Sequence, residues 1–269
     1  MQVSAKSIIT EVLSVVEAIG HPAVRVSLLI DACAIFGFSA NTVRVTLVKM
    51  RADRTVDSPE RGAYQLGKTS LELSHRVMGW RTVAERMVDW NGSWVGVYTG
   101  HLTRTDRSAL RKRTRALRLV GFRELEEGLY VRPNNLRGGV SEVRILLHRL
   151  GVEGTAVVTR LEELSEVDCA RAGDLWDSES IVAGYTELRE QLEDSTARRD
   201  ALPLEGAMRE AFLLGREVIR WVALDPLLPE QMVPTTERNA LVEAMTRYDE
   251  TGQVLWRRYL GVVESEEAA

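Results

Sequence analysis

From Ser4 to Ala18 apolar side chains recur at Ile8, Val12, Val15 or Val16, and Ile19, the spacing of a helix buried along one face. Gly20-His21-Pro22 ends it, because glycine and proline cannot continue a helix there. A second apolar helix, predicted over 26–36, runs into Phe36-Gly37. Ser39 then stands at the N-cap of a third, predicted over 40–53. In that third helix Val43, Leu47 and Met50 fall on one side, and small polar and basic residues occupy the rest. Thr55-Val56-Asp57 and Ala63-Tyr64-Gln65-Leu66 flank the turn Ser58-Pro59-Glu60-Arg61-Gly62, a hairpin pattern. Three helices and a hairpin in about 70 residues make a winged helix-turn-helix.

Residues 70–93 read as a helical linker ending in the Asn91-Gly92 turn. The period then changes: a strand over 94–100, a helix over 105–119, a hairpin from 122–125 and 129–131, a helix over 141–150 and a strand over 155–161. That order, β-α-β-β-α-β, is the split βαβ of a ferredoxin-like domain. From Leu175 onward the helical period dominates. Leu175, Ile181, Tyr185, Leu188 and Leu192 build one helix; 206–223 and 238–259 build two more, joined by a proline-rich stretch from Asp225-Pro226 to Pro234. The expected class is α+β, with domains at 1–69, 94–165 and 170–269, a linker at 70–93, and a frayed tail over 264–269.

Composition changes this picture little; the distribution of charge changes it more. The net charge of −4 conceals a segregation. Residues 1–69 carry 8 Lys/Arg against 6 Asp/Glu, residues 70–163 carry 16 against 11, and residues 164–269 carry 11 against 22. The first three-fifths is basic and the remainder acidic, so an acidic total does not argue against a nucleic-acid partner. No apolar run reaches the roughly 20 residues of a membrane span. The start lacks a secretory signal, so the expected location is cytoplasmic. Cys33 and Cys169 stand far apart, and His21, His75, His101 and His148 show no metal-ligand spacing.

The candidate chemistry follows from these positions. Ser39 leaves Asn41 and Thr42 in the first turn of a helix that can enter a DNA groove; Asn pairs with adenine, and Thr offers a hydroxyl or a methyl. Arg44, Lys49 and Arg51 on the same helix, Arg54 just past its end and Arg61 in the hairpin suit phosphates or base edges. A second concentration of charge is Arg104, Arg107, Arg111, Lys112, Arg113, Arg115 and Arg118, opposed only by Asp106. There 107, 111, 115 and 118 share one face, which serves either an anionic ligand or a solvated surface. Arg216, Arg220, Trp221 and Asp225 cluster around a helix end and read as an anionic-ligand site or as an interhelical ion pair with core. The candidate ligand-binding set is therefore Arg107, Arg111, Arg216, Arg220 and Trp221. There is no GxSxG, P-loop, Rossmann glycine pattern or HExxH, so an enzyme is not indicated and no cofactor or metal is expected.

The chain resembles the PaaX family of bacterial transcriptional repressors, named for control of phenylacetate catabolism. The resemblance lies in Phe36-Gly37-x-Ser39-x-x-x-Val43-Arg44-x-x-Leu47-x-x-Met50, then in Gly121-Phe122 and Gly128-Leu129-Tyr130-Val131-x-Pro133. It continues in Trp176-Asp177, Tyr185, Ala211-Phe212, Asp225-Pro226-x-Leu228-Pro229 and Pro234. It implies a winged helix, a ferredoxin-like middle domain and a helical C-terminal domain. It also implies a homodimer on a palindromic operator, released by an aryl-CoA thioester such as phenylacetyl-CoA. This chain departs from the pattern in four places, one of them an altered Arg/Trp motif between the second C-terminal helix and the Asp225-Pro226 turn. Arg54 stands where the family usually has Gly. Glu60-Arg61-Gly62-Ala63-Tyr64 replaces a richer Gly-Arg-Arg run, and Thr235-Thr236-Glu237-Arg238 replaces Trp-Pro-Gly.

Two readings from different classes result. One is a DNA-binding repressor responding to a small anionic effector. The other is a PaaX-like scaffold that has lost operator binding and works as an enzyme or ligand-binding protein in a biosynthetic pathway. A pure protein-interaction module is a third.

Overall fold

A computed structural model describes residues 3–18, 23–67 and 78–259. Ile19, the helix stop at 20–22, linker residues 70–77 and the tail at 264–269 lie outside the described residues. The chain is an α+β protein. Two compact units share it: one takes the described residues of Met1–Gly79, Gln191–Glu217 and Ala244–Ala269, the other Trp80–Glu190 and Val218–Glu243.

The first unit opens with α1 (Ala5–Ala18), β1 (Val24–Arg25), α2 (Val26–Ala34), α3 (Ala40–Ala52), β2 (Val56–Asp57) and β3 (Ala63–Leu66). The three short strands form an antiparallel sheet in the order β1-β3-β2, with Val24 opposite Tyr64 and Val56 opposite Leu66. Ile8, Ile9, Val12 and Leu13 of α1 are buried with Leu29 and Cys33 of α2 and Val43, Leu47 and Met50 of α3. The helical spacing read from the sequence thus becomes one shared core, which Met208, Phe212 and Trp256 join from the C-terminal helices. Burying side chains of this size is worth about 1.5–3 kcal/mol each, and that is what holds such short helices in place.

The described part of the linker, which runs from the first unit into the second, is not regular α-helix. Met78–Trp80 and Val83–Arg86 are 3₁₀ turns, and Gly92 turns the chain at a φ of +88°. There follow β4 (Trp94–Tyr98), α4 (Arg107–Leu119), β5 (Arg123–Glu126), β6 (Leu129–Pro133), α5 (Gly139–Arg149) and β7 (Val157–Leu161). The strands are antiparallel in the order β5-β6-β4-β7, with Trp94 flanked by Pro133 and Leu161 and Tyr98 by Leu129 and Val157. The Trp94 ring stacks on Trp176 at 6.3 Å and meets Trp90 edge-on at 5.3 Å.

The remaining helices are α6 (Glu166–Gly173), α7 (Ser178–Arg198), α8 (Leu204–Ala223) and α9 (Thr235–Tyr259). Sequence periodicity locates the last three and misses α6. Its eight residues hold few apolar positions, and Val167 is 69% exposed, so no buried stripe marks it. Its start is set by Ser165, whose hydroxyl accepts the Asp168 N–H.

Candidate nucleic-acid interface

The turn between α2 and α3 is built by hydrogen bonds that the sequence foreshadows. The N–H of Phe38 reaches back to the Cys33 carbonyl at 3.1 Å and that of Gly37 to Ala34 at 2.8 Å, with Gly37 at a φ of +82°. This is the closing pattern in which a left-handed residue satisfies the last carbonyls of a helix. Ser39 then adopts extended geometry. Its hydroxyl accepts the Thr42 N–H at 3.2 Å and meets the Thr42 hydroxyl at 2.9 Å, capping α3. Beside the turn, the Phe36 ring meets Phe212 edge-on at 4.9 Å.

α3 presents two clean faces. Val43, Leu47 and Met50 are buried, whereas Asn41, Thr42, Arg44, Val45, Val48, Lys49, Arg51 and Ala52 are exposed. At 100° per residue, Asn41, Val45, Val48 and Ala52 form the central stripe of the outer face. Arg44 and Arg51 border it on one side, Thr42 and Lys49 on the other. The helix carries three basic residues and no acid. Past its end Arg54 takes a φ of +54°, while Thr55 donates both its N–H and its hydroxyl to the Met50 carbonyl at 2.8 and 2.9 Å. Arg54 thereby fills the left-handed position that glycine usually takes.

Arg61 is exposed in the 58–62 turn of the β2–β3 hairpin, with Asp57 and Glu60 also exposed. The turn is tied down by Ser58, which donates to the Glu60 carbonyl at 2.9 Å, and by the Val26 N–H on the Gly62 carbonyl at 2.8 Å. Of the eight DNA candidates named from the sequence, Ser39, Asn41, Thr42, Arg44, Lys49 and Arg51 therefore belong to one capped helix, and Arg54 follows its end. Arg61 belongs to the hairpin of the same unit.

The second candidate set lies on two helices, α4 and α8. Arg107 and Arg111 are exposed on α4 with Arg115 and Arg118. Arg113, from the same run, is buried and pairs with Glu153 at 2.8 Å, while Arg104 pairs with Glu127. Arg216 lies in the first unit, where it donates to the Ser7 hydroxyl at 2.9 Å. Arg220 and Trp221 lie in the second; Arg220 is exposed, and Trp221 meets Tyr185 edge-on at 5.0 Å. Arg216 thus belongs to one unit, and Arg107, Arg111, Arg220 and Trp221 to the other.

What the sequence did not reveal is a buried polar centre in the second unit. Asp225 accepts the Tyr185 hydroxyl at 2.5 Å and the Arg238 Nε at 3.3 Å, and its other oxygen accepts the Leu227 N–H at 2.7 Å. Arg238 also donates to the Leu228 carbonyl at 3.0 Å. Burial raises the Tyr185 phenol above its ordinary range, and the Asp225 charge adds to the effect. Nearby, Asn135 donates to the Leu227 carbonyl at 2.8 Å and accepts from Arg132 at 3.0 Å. Arg132 is itself buried on carbonyls of Pro133 and Val120. Burial, then the Arg86 charge, lowers the Arg132 guanidinium to about 9, which leaves it protonated at neutral pH. Among the described residues no group of three or more His, Cys, Asp and Glu side chains forms a metal site, and no helix is long and apolar enough to cross a membrane.

Tyr185, Trp176 and the Asp225-Pro226 loop lie where the known proteins match. Residues 176–254 match the family described as PaaX-like protein C-terminal domain. The transcriptional repressor PaaX of Escherichia coli (strain K12) is 26% identical over 212 residues, covering 74% of this chain and 64% of that protein. Over residues 176–254 the chain is similar to that family. It spans less than two thirds of that relative's length. In architecture it is similar to the uncharacterized protein Rv0674 from Mycobacterium tuberculosis, with a TM-score of 0.63, 22% identity and coverage of 96% of this chain and 98% of that one. Tyr185 and Asp225 thus hold the loop preceding α9, and Phe212 belongs to the core beneath α3.

Proposed function

We propose that this PaaX-like chain is a cytoplasmic, homodimeric transcriptional repressor that binds operator DNA through a winged helix-turn-helix at its N-terminus. The observation that carries the reading is the outer face of α3. It is capped by Ser39, free of acidic residues, and lined by Asn41, Thr42, Arg44, Lys49 and Arg51. Asn41 and Thr42, in the first turn, reach base edges; Arg44, Lys49, Arg51 and the hairpin's Arg61 meet phosphates. The kinship with a transcriptional repressor supports the reading. The β5-β6-β4-β7 order likewise supports a ferredoxin-like middle domain.

Release from DNA is assigned to a small anionic effector, with a CoA thioester as the leading class. The exposed arginine stripe at Arg107, Arg111, Arg115 and Arg118 offers it charge. An effector that binds one dimer geometry better than the other moves the two α3 helices out of register with successive major grooves. The test is gel retardation of DNA from the protein's own promoter region by the full-length chain and by the Arg44→Ala/Lys49→Ala double variant. Retention by the wild type and its loss in the variant are expected. Equal binding by both, or none by either, overturns the assignment.

A further inference from the structure

Resting on that reading, we infer that α3 reads DNA chiefly through the methyl groups of thymine, with Val45 and Val48 as the specificity-determining side chains. Val45 is 45% exposed and Val48 68% exposed, although both lie on a helix with a complete buried face of its own. Neither belongs to the buried core. As β-branched residues they also lower helix propensity by about 0.5 kcal/mol each relative to alanine. They sit on the central stripe of the outer face, between Asn41 and Ala52, and not at its edge.

The hydroxyls nearby already have local partners. The Thr42 and Ser39 hydroxyls meet each other at 2.9 Å, and the Thr46 hydroxyl donates to the Thr42 carbonyl at 2.7 Å. The polar reader left on the stripe is the exposed amide of Asn41. In the major groove the only apolar feature of a base edge is the C5 methyl of thymine, and the partner adenine presents the donor and acceptor that Asn satisfies together. From Asn41 to Val48 the helix rises about 10 Å, roughly three base-pair steps. The stripe therefore fits a short run of A·T pairs. Arg44 and Arg51 on one border, and Lys49 on the other, lie toward the phosphates. That charge, unbalanced by any acid on α3, favours DNA over a second protein surface, whose central contacts are depleted of charge.

The experiment begins with selection of duplexes from a random library by the full-length chain. Binding is then measured to the selected duplex and to versions in which single thymines are replaced by deoxyuridine, which removes the methyl group and nothing else. With the wild type, one or two positions per half-site should lose about fourfold in affinity, the value of one buried methyl group. Val48→Ala should abolish the penalty at one of these positions and Val45→Ala at another, while both variants bind the uracil duplex as the wild type does. If uracil duplexes bind as tightly as thymine duplexes, or the penalty survives both substitutions, methyl readout is overturned and DNA binding stands. If no duplex is enriched, both fall.

Discussion

The ring of Phe36, in the turn before α3, meets the ring of Phe212 on α8 edge-on at 4.9 Å. One residue belongs to the stretch that aims the outer face of α3; the other lies 176 positions later in the chain, in the same compact unit. The N-terminal helices are thus not self-sufficient, because C-terminal side chains complete their core. Phe212→Ala should cost about 3–5 kcal/mol in denaturant unfolding. A double-mutant cycle with Phe36→Leu should return a coupling of roughly 0.5–1.5 kcal/mol, the value of an aromatic pair beyond its buried area. A coupling near zero would mean that the turn is held by other contacts.

The Tyr185–Asp225–Arg238 centre makes a second expectation. Removing the carboxylate with Asp225→Ala strands a buried guanidinium and should cost about 3–5 kcal/mol. Tyr185→Phe removes one donor and should cost about 1–2 kcal/mol. The two differ in pH dependence as well. The Tyr185 phenol is raised in the folded state, so the stability tied to its proton is complete below the ordinary phenol pKa of about 10 and is lost as pH rises beyond it. The loss of stability above about pH 10 should be shallower in Tyr185→Phe than in the wild type.

Two glycines separate conformational strain from steric clash. At Gly37 an added Cβ meets nothing within 4 Å, but φ is +82°. At Gly121 φ is +85°, and the Cβ would fall 2.7 Å from the Pro226 carbonyl oxygen. Gly37→Ala should cost about 1–2 kcal/mol from backbone conformation alone. Gly121→Ala should cost more, by roughly 1–3 kcal/mol, because the loop carrying Pro226 must move. Thermal unfolding of the two variants side by side checks the order.

Much of this was legible in the chain beforehand, for one reason: α3 uses a strict helical period at Val43, Leu47 and Met50, and the caps at Gly37 and Ser39 are local. The β2–β3 hairpin was legible for the same reason, since Pro59 and Gly62 mark its turn. β1 was not, because two residues cannot show a period, and Val24-Arg25 is a strand only by pairing with Ala63 and Tyr64. The buried arginines were illegible on physical grounds. Sequence counts Arg113 and Arg132 as surface charge, yet each finds carbonyls or a carboxylate 3 to 40 residues away that only the fold brings near. Arg216 and Arg220 are one helical turn apart but fall on opposite sides of a unit boundary.

Arg54 holds a left-handed backbone at the end of α3, where glycine costs nothing sterically. Relief of about 1–2 kcal/mol of strain, less the greater flexibility of glycine in the unfolded chain, should make Arg54→Gly more stable by roughly 0.5–1 kcal/mol. The same change removes a cation near the outer face of α3. If that cation serves DNA, the variant melts higher and binds more weakly, a combination that calorimetry and a binding titration together will reveal.

Salt dependence separates the phosphate contacts from the base contacts. Each phosphate neutralised on duplex DNA contributes about −0.9 to the slope of log K against log salt. Arg44→Ala, Lys49→Ala and Arg61→Ala should each therefore flatten the slope by about one for every copy of the chain bound. Their loss of affinity should be similar on selected and on random duplexes, since phosphates carry no sequence. Asn41→Ala and Val48→Ala should behave in the opposite way, keeping the slope while lowering the preference for the selected duplex. An unchanged slope in all three cationic variants would remove α3 and its hairpin from the phosphate backbone. A slope that changed only with Arg61 would leave the hairpin as the DNA contact and assign the exposed valines of α3 to another surface.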